Sequence, residues 1–158
     1  MSEDPLYAVV RIRSFIGAPY DTKHTMRLLR LHRTHHATLI RGTKSVQGML
    51  RKAKDYLTWG EVDADTIHHL LTKRGERIGR KKITDEFMSE NTDFPTIMAL
   101  SEAIIKGDAN FTKISWLRPV LRLHPPRKGY KNTKQDFTNK GDQGYRAEAI
   151  TELLKKMS

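Results

Sequence analysis

The chain contains no cysteine, which excludes a disulfide framework, a thiolate metal site and a thiol nucleophile, and suits a reducing compartment. It has no apolar run long enough to span a bilayer, and its acidic opening MSEDPLY is unlike a signal peptide. A soluble, cytoplasmic protein with no membrane partner is expected. There is no GxSxG, no Walker-type phosphate loop and no isolated pair of buried carboxylates, so nothing nominates a catalytic residue, a cofactor or a small-molecule substrate. Aromatics are scarce at 8%, and no strand interleaves them with glycines as RNA-recognition sheets do.

Acidic residues are also in deficit, with eighteen Asp and Glu against twenty-nine Lys and Arg, a net charge of +11 over 158 residues. The imbalance is uneven along the chain. Residues 1–60 carry a net +7, residues 61–110 a net −3 and residues 111–158 a net +7. Two basic segments around an acidic one suit a body whose ends meet a polyanion, because neutralised phosphates release counterions whatever the base sequence.

What is present reads as alternating strands and helices. Residues 6–13, LYAVVRIR, alternate as a half-buried strand, with Ala8, Val10 and Ile12 on one face and Tyr7, Val9, Arg11 and Arg13 on the other. A helix capped by Asp21 or Thr22 and ending near His32 would place Leu28, Leu29 and Leu31 toward a core, with Arg27, Arg30 and Arg33 on the opposite side. A polar turn through His35 and His36 leads to a second strand at 37–41. Arg41 and Lys44 flank the turn that follows, and a helix over 44–54 displays Arg51 and Lys52; these four, with Arg27, Arg30, Arg33, His35 and His36, are candidate RNA contacts. A third strand is expected at 56–62.

Beyond residue 62 the composition changes. Helices are expected at 64–73, 84–90 and 94–106, with a compact basic loop, ERIGRKKI, carrying Arg80, Lys81 and Lys82 between the first two. Residues 116–123 read as an edge strand, since Pro119 argues against a central one. Residues 124–144 hold five cations (Arg127, Lys128, Lys131, Lys134 and Lys140) and two large apolar side chains, Tyr130 and Phe137. Such a stretch cannot build a core, so an arm that orders on a polyanion is expected. A final helix spans 145–157. The organisation is thus a core at 1–62 and an extension at 63–158. Trp59 and Trp116 sit on strand-like runs and are read as core residues.

Six of the seven histidines, His24, His32, His35, His36, His68 and His69, raise a metalloprotein as an alternative. Zinc requires three or four converging ligands, and here arginines repel the cation, so no metal site is assigned.

Taken in order, VVRIRSFIG, KHTMRLLRLHRTHH, VQGMLRKAKDYLTWGEV, HHLLTKRG, GRKKI, WLRPVLRLHPPRKG and KGDQGYRAEAI resemble a large-subunit ribosomal protein of the universal family numbered thirty, in its archaeal form. The first 60 or so residues are similar to the short bacterial members and the rest to the archaeal protein and its eukaryotic counterpart, protein seven. The long basic N-terminal extension of the eukaryotic form is not in the sequence. The resemblance implies an α+β fold, with a three-stranded antiparallel sheet bearing helices on one face, a ferredoxin-like core, plus a helical C-terminal extension. Right-handed connections place both helices on one side, leaving the Arg11 and Arg13 face open. It also implies a non-enzymatic structural role on the ribosome, with 23S rRNA, 5S rRNA and neighbouring large-subunit proteins as partners. Contacts to rRNA would come from Arg11, Arg13, the turn from Arg30 to His36, Arg80 to Lys82 and the basic residues of the tail. A free RNA chaperone acting off the ribosome is the other RNA-binding reading.

Overall fold

Strand β1, Leu6–Arg11, lies at the centre of the computed structural model, which describes residues 4–158; residues 1–3 of the acidic opening lie outside it. β2 (His36–Arg41) and β3 (Leu57–Glu61) pair antiparallel with β1, so that Val9 stands opposite Thr38 on one side and Trp59 on the other. The fold is α+β around this antiparallel triplet. Two short strands widen it into a five-stranded sheet in the order β4-β2-β1-β3-β5. β4 (Leu121–Arg122) adds antiparallel to β2, and β5 (Gly144–Tyr145) adds parallel to β3. The strand expected over 116–123 is therefore only its last few residues.

Alternation along β1 sends Ala8 and Val10 to one face and Tyr7 and Val9 to the other, and each face has its own buried cluster. Helices α1 (Tyr20–Leu28) and α2 (Lys44–Lys52) cover the Tyr7 face, where Met26, Leu29, Leu31 and Leu50 pack with Val9, Leu57 and Trp59. This is the face expected to be open. The opposite face is covered by the extension: α3 (Ala64–Arg74), α5 (Ile97–Lys106) and α6 (Ile150–Met157) bring Leu70, Leu71, Leu100, Ile104 and Leu154 onto Ala8, Val10 and Leu39. Both faces of β1 are apolar enough to need a cover, at about 1.5 to 3 kcal/mol for each large aliphatic side chain buried. Alternation separates the faces without saying which helices take which.

Helix boundaries follow caps. Asp63 accepts from the Thr66 N–H at 2.8 Å to start α3, and Thr84 and Thr96 do the same for α4 (Asp85–Asn91) and α5. α1 stops four residues short of the expected end because Arg30 takes a left-handed φ of 62°. The Arg30 N–H then reaches the Arg27 carbonyl and the Leu31 N–H the Met26 carbonyl, both at 2.9 Å, which satisfies the last carbonyls of the helix. Leu31 and Met26, both fully buried, close the motif, whereas Leu28 is left 60% exposed. The final helix begins at Ile150 rather than at 145, because Gly144 and Tyr145 are in the sheet.

The arm at 124–144 has partners inside the protein: Tyr130 packs against the apolar cluster on the Ala8 face, and the arm's other attachments include a set of polar hydrogen bonds. Its first residues run along the end of α6, with the His124 and Arg127 N–H groups bonding to the Met157 and Lys156 carbonyls. Farther on it wraps around Asp142, whose carboxylate accepts from the Asn132 N–H at 2.8 Å. Arg146 is buried behind it, donating from Nη2 to the Asp142 carbonyl at 2.7 Å and from Nε to Thr58 Oγ1 at 2.7 Å. Thr58 in turn donates to the Gly144 carbonyl at 2.9 Å. Gly60 is needed at this seam, since a Cβ there would lie 1.9 Å from the Ala147 carbonyl oxygen.

Candidate nucleic-acid interface

The structure sorts the basic residues by what their side chains already hold. Arg11 is 3% exposed. It lies at the end of β1 on the face that α1 and α2 cover, and its guanidinium donates to the Arg13 carbonyl at 2.7 Å and the Leu31 carbonyl at 3.1 Å, stacked 3.6 Å from the Phe15 ring centroid. Its cation is used to close the α1 turn. Arg41 donates to the Ile104 and Ile105 carbonyls at 2.5 and 2.6 Å, capping the end of α5 where the helix dipole is negative. Neither is available to a surface ligand in this arrangement. Arg13 is half-buried, 5.2 Å from the centroid of Tyr56.

The turn between α1 and β2 brings Arg30, Arg33, His35 and His36 together, and Arg30, Arg33 and Arg27 are exposed there. Its histidines are built differently from its arginines. His35, at φ 69°, bonds through Nδ1 to the Tyr130 hydroxyl at 2.8 Å and stacks on that ring, which ties the turn to the arm. Burial lowers its pKa, and the nearby His124 adds to the effect. Burial, reinforced by Arg122 and Arg33, drives His36 down to about 4. His36 is therefore neutral at pH 7 and adds no charge to the turn. Sequence reasoning had no signal for Tyr130 as the link, because it lies 95 residues away.

Lys44, Arg51 and Lys52 are exposed on α2, in the same helical layer as Arg27, and Lys54 just beyond α2 joins them. Arg80, Lys81 and Lys82 are exposed at the tip of a small hairpin after α3, in which the Arg77 N–H bonds to the Lys81 carbonyl at 2.7 Å. Arg127, Lys128, Lys131, Lys134 and Lys140 are exposed along the arm. Ion pairs among the described residues involve Lys52, Arg118, Arg146 and Lys156, and of these only Lys52, 3.9 Å from the exposed Asp21, belongs to the candidate set.

Backbone geometry marks part of the same set. Among the described residues, the non-glycine residues with positive φ are Arg30, His35, Arg80, Lys128, Lys140 and Ala147, and the first five are all candidates. A left-handed residue with a side chain costs about 1 to 2 kcal/mol relative to the right-handed region. Glycine would avoid that cost but would carry no charge.

Residues 7–57 match the family model "Ribosomal protein L30p/L7e". Similarity to individual relatives extends far beyond that segment. The large ribosomal subunit protein uL30 of Methanosphaera stadtmanae is 48% identical over 152 residues, covering 96% of this chain and 99% of the relative. The uL30 proteins of Methanobrevibacter smithii and Archaeoglobus fulgidus are each 42% identical, with the same coverage. With similarity at this level over almost the whole length of both partners, the chain belongs to the ribosomal protein L30p/L7e family, in its archaeal form.

Proposed function

We propose that this protein is a structural constituent of the large ribosomal subunit that binds 23S rRNA and helps attach and orient 5S rRNA, with no chemical step of its own. The observation that carries the reading is a set of exposed cations in two layers of the molecule, almost none of them paired with a carboxylate. One group lies on the α1 and α2 layer, on the turn after α1 and on the arm tied to that turn; the other is the Arg80 to Lys82 hairpin, which follows α3 on the far side of the sheet. Two separate anion-binding surfaces on one rigid body suit a protein that holds two RNA segments in a fixed relation, with neighbouring large-subunit proteins beside it. The free arginines and lysines, rather than the neutral His36 or the internally bonded Arg11 and Arg41, make the phosphate contacts.

The test is the salt dependence of rRNA binding by the full chain, combined with sedimentation of tagged protein from cells. Affinity is expected to fall by somewhat under one log unit per log unit of salt for each phosphate contact. The triple substitution Arg27→Ala, Arg30→Ala, Arg33→Ala should reduce that slope by two to three while leaving the circular dichroism unchanged. A flat salt response would remove the reading. Protein sedimenting away from the large subunit would support a free RNA chaperone instead.

A further inference from the structure

A cavity of about 450 Å³ opens between α2 and the far end of the arm. Its walls combine aromatic rings with cations, although the chain has only twelve Phe, Trp and Tyr in 158 residues. Trp59, 8% exposed, lies at its base, and Tyr145 and Phe137 at its sides remain 46% and 38% exposed. Tyr145 is held in place by its hydroxyl, which donates to Glu61 Oε1, and by the edge of Tyr7, with centroids 6.3 Å apart. Arg51 and Lys54 line the α2 side, and the half-buried Asp136 lies on the arm side. No hydrogen bond or ion pair engages the Asp136 carboxylate among the described residues.

This combination has a specific chemistry. A cavity of this volume is in the range of small-ligand sites, and rings left open to water beside two cations match a flat heterocycle joined to a phosphate. A free carboxylate facing the cavity can accept from the N–H groups on the edge of a base, as unpaired bases offer. A lipid would leave that carboxylate unanswered, and an acidic peptide would be repelled by it. We propose that the cavity receives one unpaired RNA base, stacked on Tyr145 and Phe137, with its edge toward Asp136 and its flanking phosphates on Arg51 and Lys54. The proposal rests on the rRNA-binding reading and adds to it a site for a splayed nucleotide, distinct from the phosphate contacts of the turn and hairpin.

The test uses the full-length protein and two RNA probes, a short single strand with one internal 2-aminopurine and a fully paired hairpin of the same composition. The single strand should bind with a change in 2-aminopurine emission, and the paired hairpin without one. Phe137→Leu combined with Tyr145→Leu keeps apolar volume but removes the π faces, and should weaken single-strand binding by roughly five- to a hundredfold with the salt slope unchanged. Phe137→Tyr with Tyr145 and its bond to Glu61 left intact should keep both affinity and emission, which separates stacking from a general loss of structure. Arg51→Ala should instead reduce the salt slope by about 0.7. If the leucine variant binds single strands as tightly as the wild type while the steep salt slope persists, the cavity is not a base site and the broader rRNA reading stands. If no RNA binds in a salt-dependent way, both readings fall. Displacement of the single strand by polyglutamate in a manner that the leucine variant abolishes would reassign the cavity to a protein partner.

Discussion

Arg146→Ala is the substitution expected to do most damage per atom removed, because the buried Arg146 side chain ties β3, the Asp142 turn and the Phe137 ring of the arm together. Its side chain is 6% exposed and that of Asp142 is 9% exposed, with 3.4 Å between Nη2 and Oδ1. The same guanidinium bonds to the Asp142 carbonyl and to Thr58 of β3, and lies 5.0 Å from the Phe137 ring. Truncation leaves the Asp142 carboxylate buried with the Asn132 N–H as its remaining close partner, together with an open space where the guanidinium was. Breaking a buried pair from one side costs about 3 to 5 kcal/mol. Against a total stability of about 5 to 15 kcal/mol this is at least about a fifth. In urea, with a slope near 2 kcal/mol per molar, the midpoint should fall by about 2 M. Loss of the node should also loosen the arm first, so trypsin should cut at Lys134 and Lys140 well before it cuts the body. Asp142→Asn, which keeps an acceptor for Asn132 and Arg146, should cost about 1 to 2 kcal/mol, as for a weakened charged hydrogen bond. The reasoning is refuted if Arg146→Ala shifts stability by under about 1 kcal/mol and tryptic cleavage of the arm keeps its wild-type rate.

Arg30→Gly should stabilise the fold by about 1 kcal/mol, since glycine accepts the φ of 62° without strain, while rRNA affinity falls; equilibrium unfolding and a binding titration read the two effects separately. Gly60→Ala places a methyl carbon 1.9 Å from the Ala147 oxygen, and should cost at least about 1 to 3 kcal/mol by forcing β3 away from the start of α6, visible as a lower thermal midpoint. Stability should also depend on pH through His36, whose folded pKa of about 4 lies below its usual 6.5. The unfolded chain takes up the proton first, so the contribution of His36 is complete above about pH 6.5 and is lost as the pH falls toward 4. Allowing for solvent screening, the loss is about 1 to 2 kcal/mol, and His36→Gln should flatten that part of the profile in urea melts from pH 7 to 4.

Much of the fold is legible in the residues. Alternation in LYAVVRIR places the central strand and its two faces correctly, and Asp63 and Gly107 mark helix ends that the structure keeps, whereas the helix expected from 94 starts only at Ile97, after its Thr96 cap. What is misread depends on groups whose role is set by distant parts of the chain. Arg11 occupies a position that alternation assigns to the polar side of a strand, yet besides the nearby Arg13 carbonyl it donates to the Leu31 carbonyl twenty residues away under the α1 turn, and no local pattern shows that burial. The arm is read as unable to order because apolar residues are counted and buried polar pairs are not; Asp142, Gln143 and Arg146 supply the order that Tyr130 and Phe137 alone cannot. β4 and β5 have two residues each, too few for any periodic signal. Of the candidate site, the exposed arginines and lysines are legible from charge and spacing, whereas the withdrawal of Arg11 and Arg41 into the protein and the neutrality of His36 are tertiary effects.

The sealing of both sides of the β2-β1-β3 triplet by residues near positions 121 and 145 has a consequence for how the protein is made. A nascent chain that has emerged only as far as β3 has two unpaired strand edges and a bare apolar surface at Ala8, Val10 and Leu39, the features through which growing polypeptides aggregate. More than eighty residues separate Glu61 from Tyr145, and at about 5 to 20 residues per second their synthesis takes on the order of ten seconds. For that interval the first third of the molecule cannot complete its sheet by itself. It should be a substrate for a holdase at the tunnel exit, and release would come only when the tail has emerged and the last strand has closed the edge beside β3.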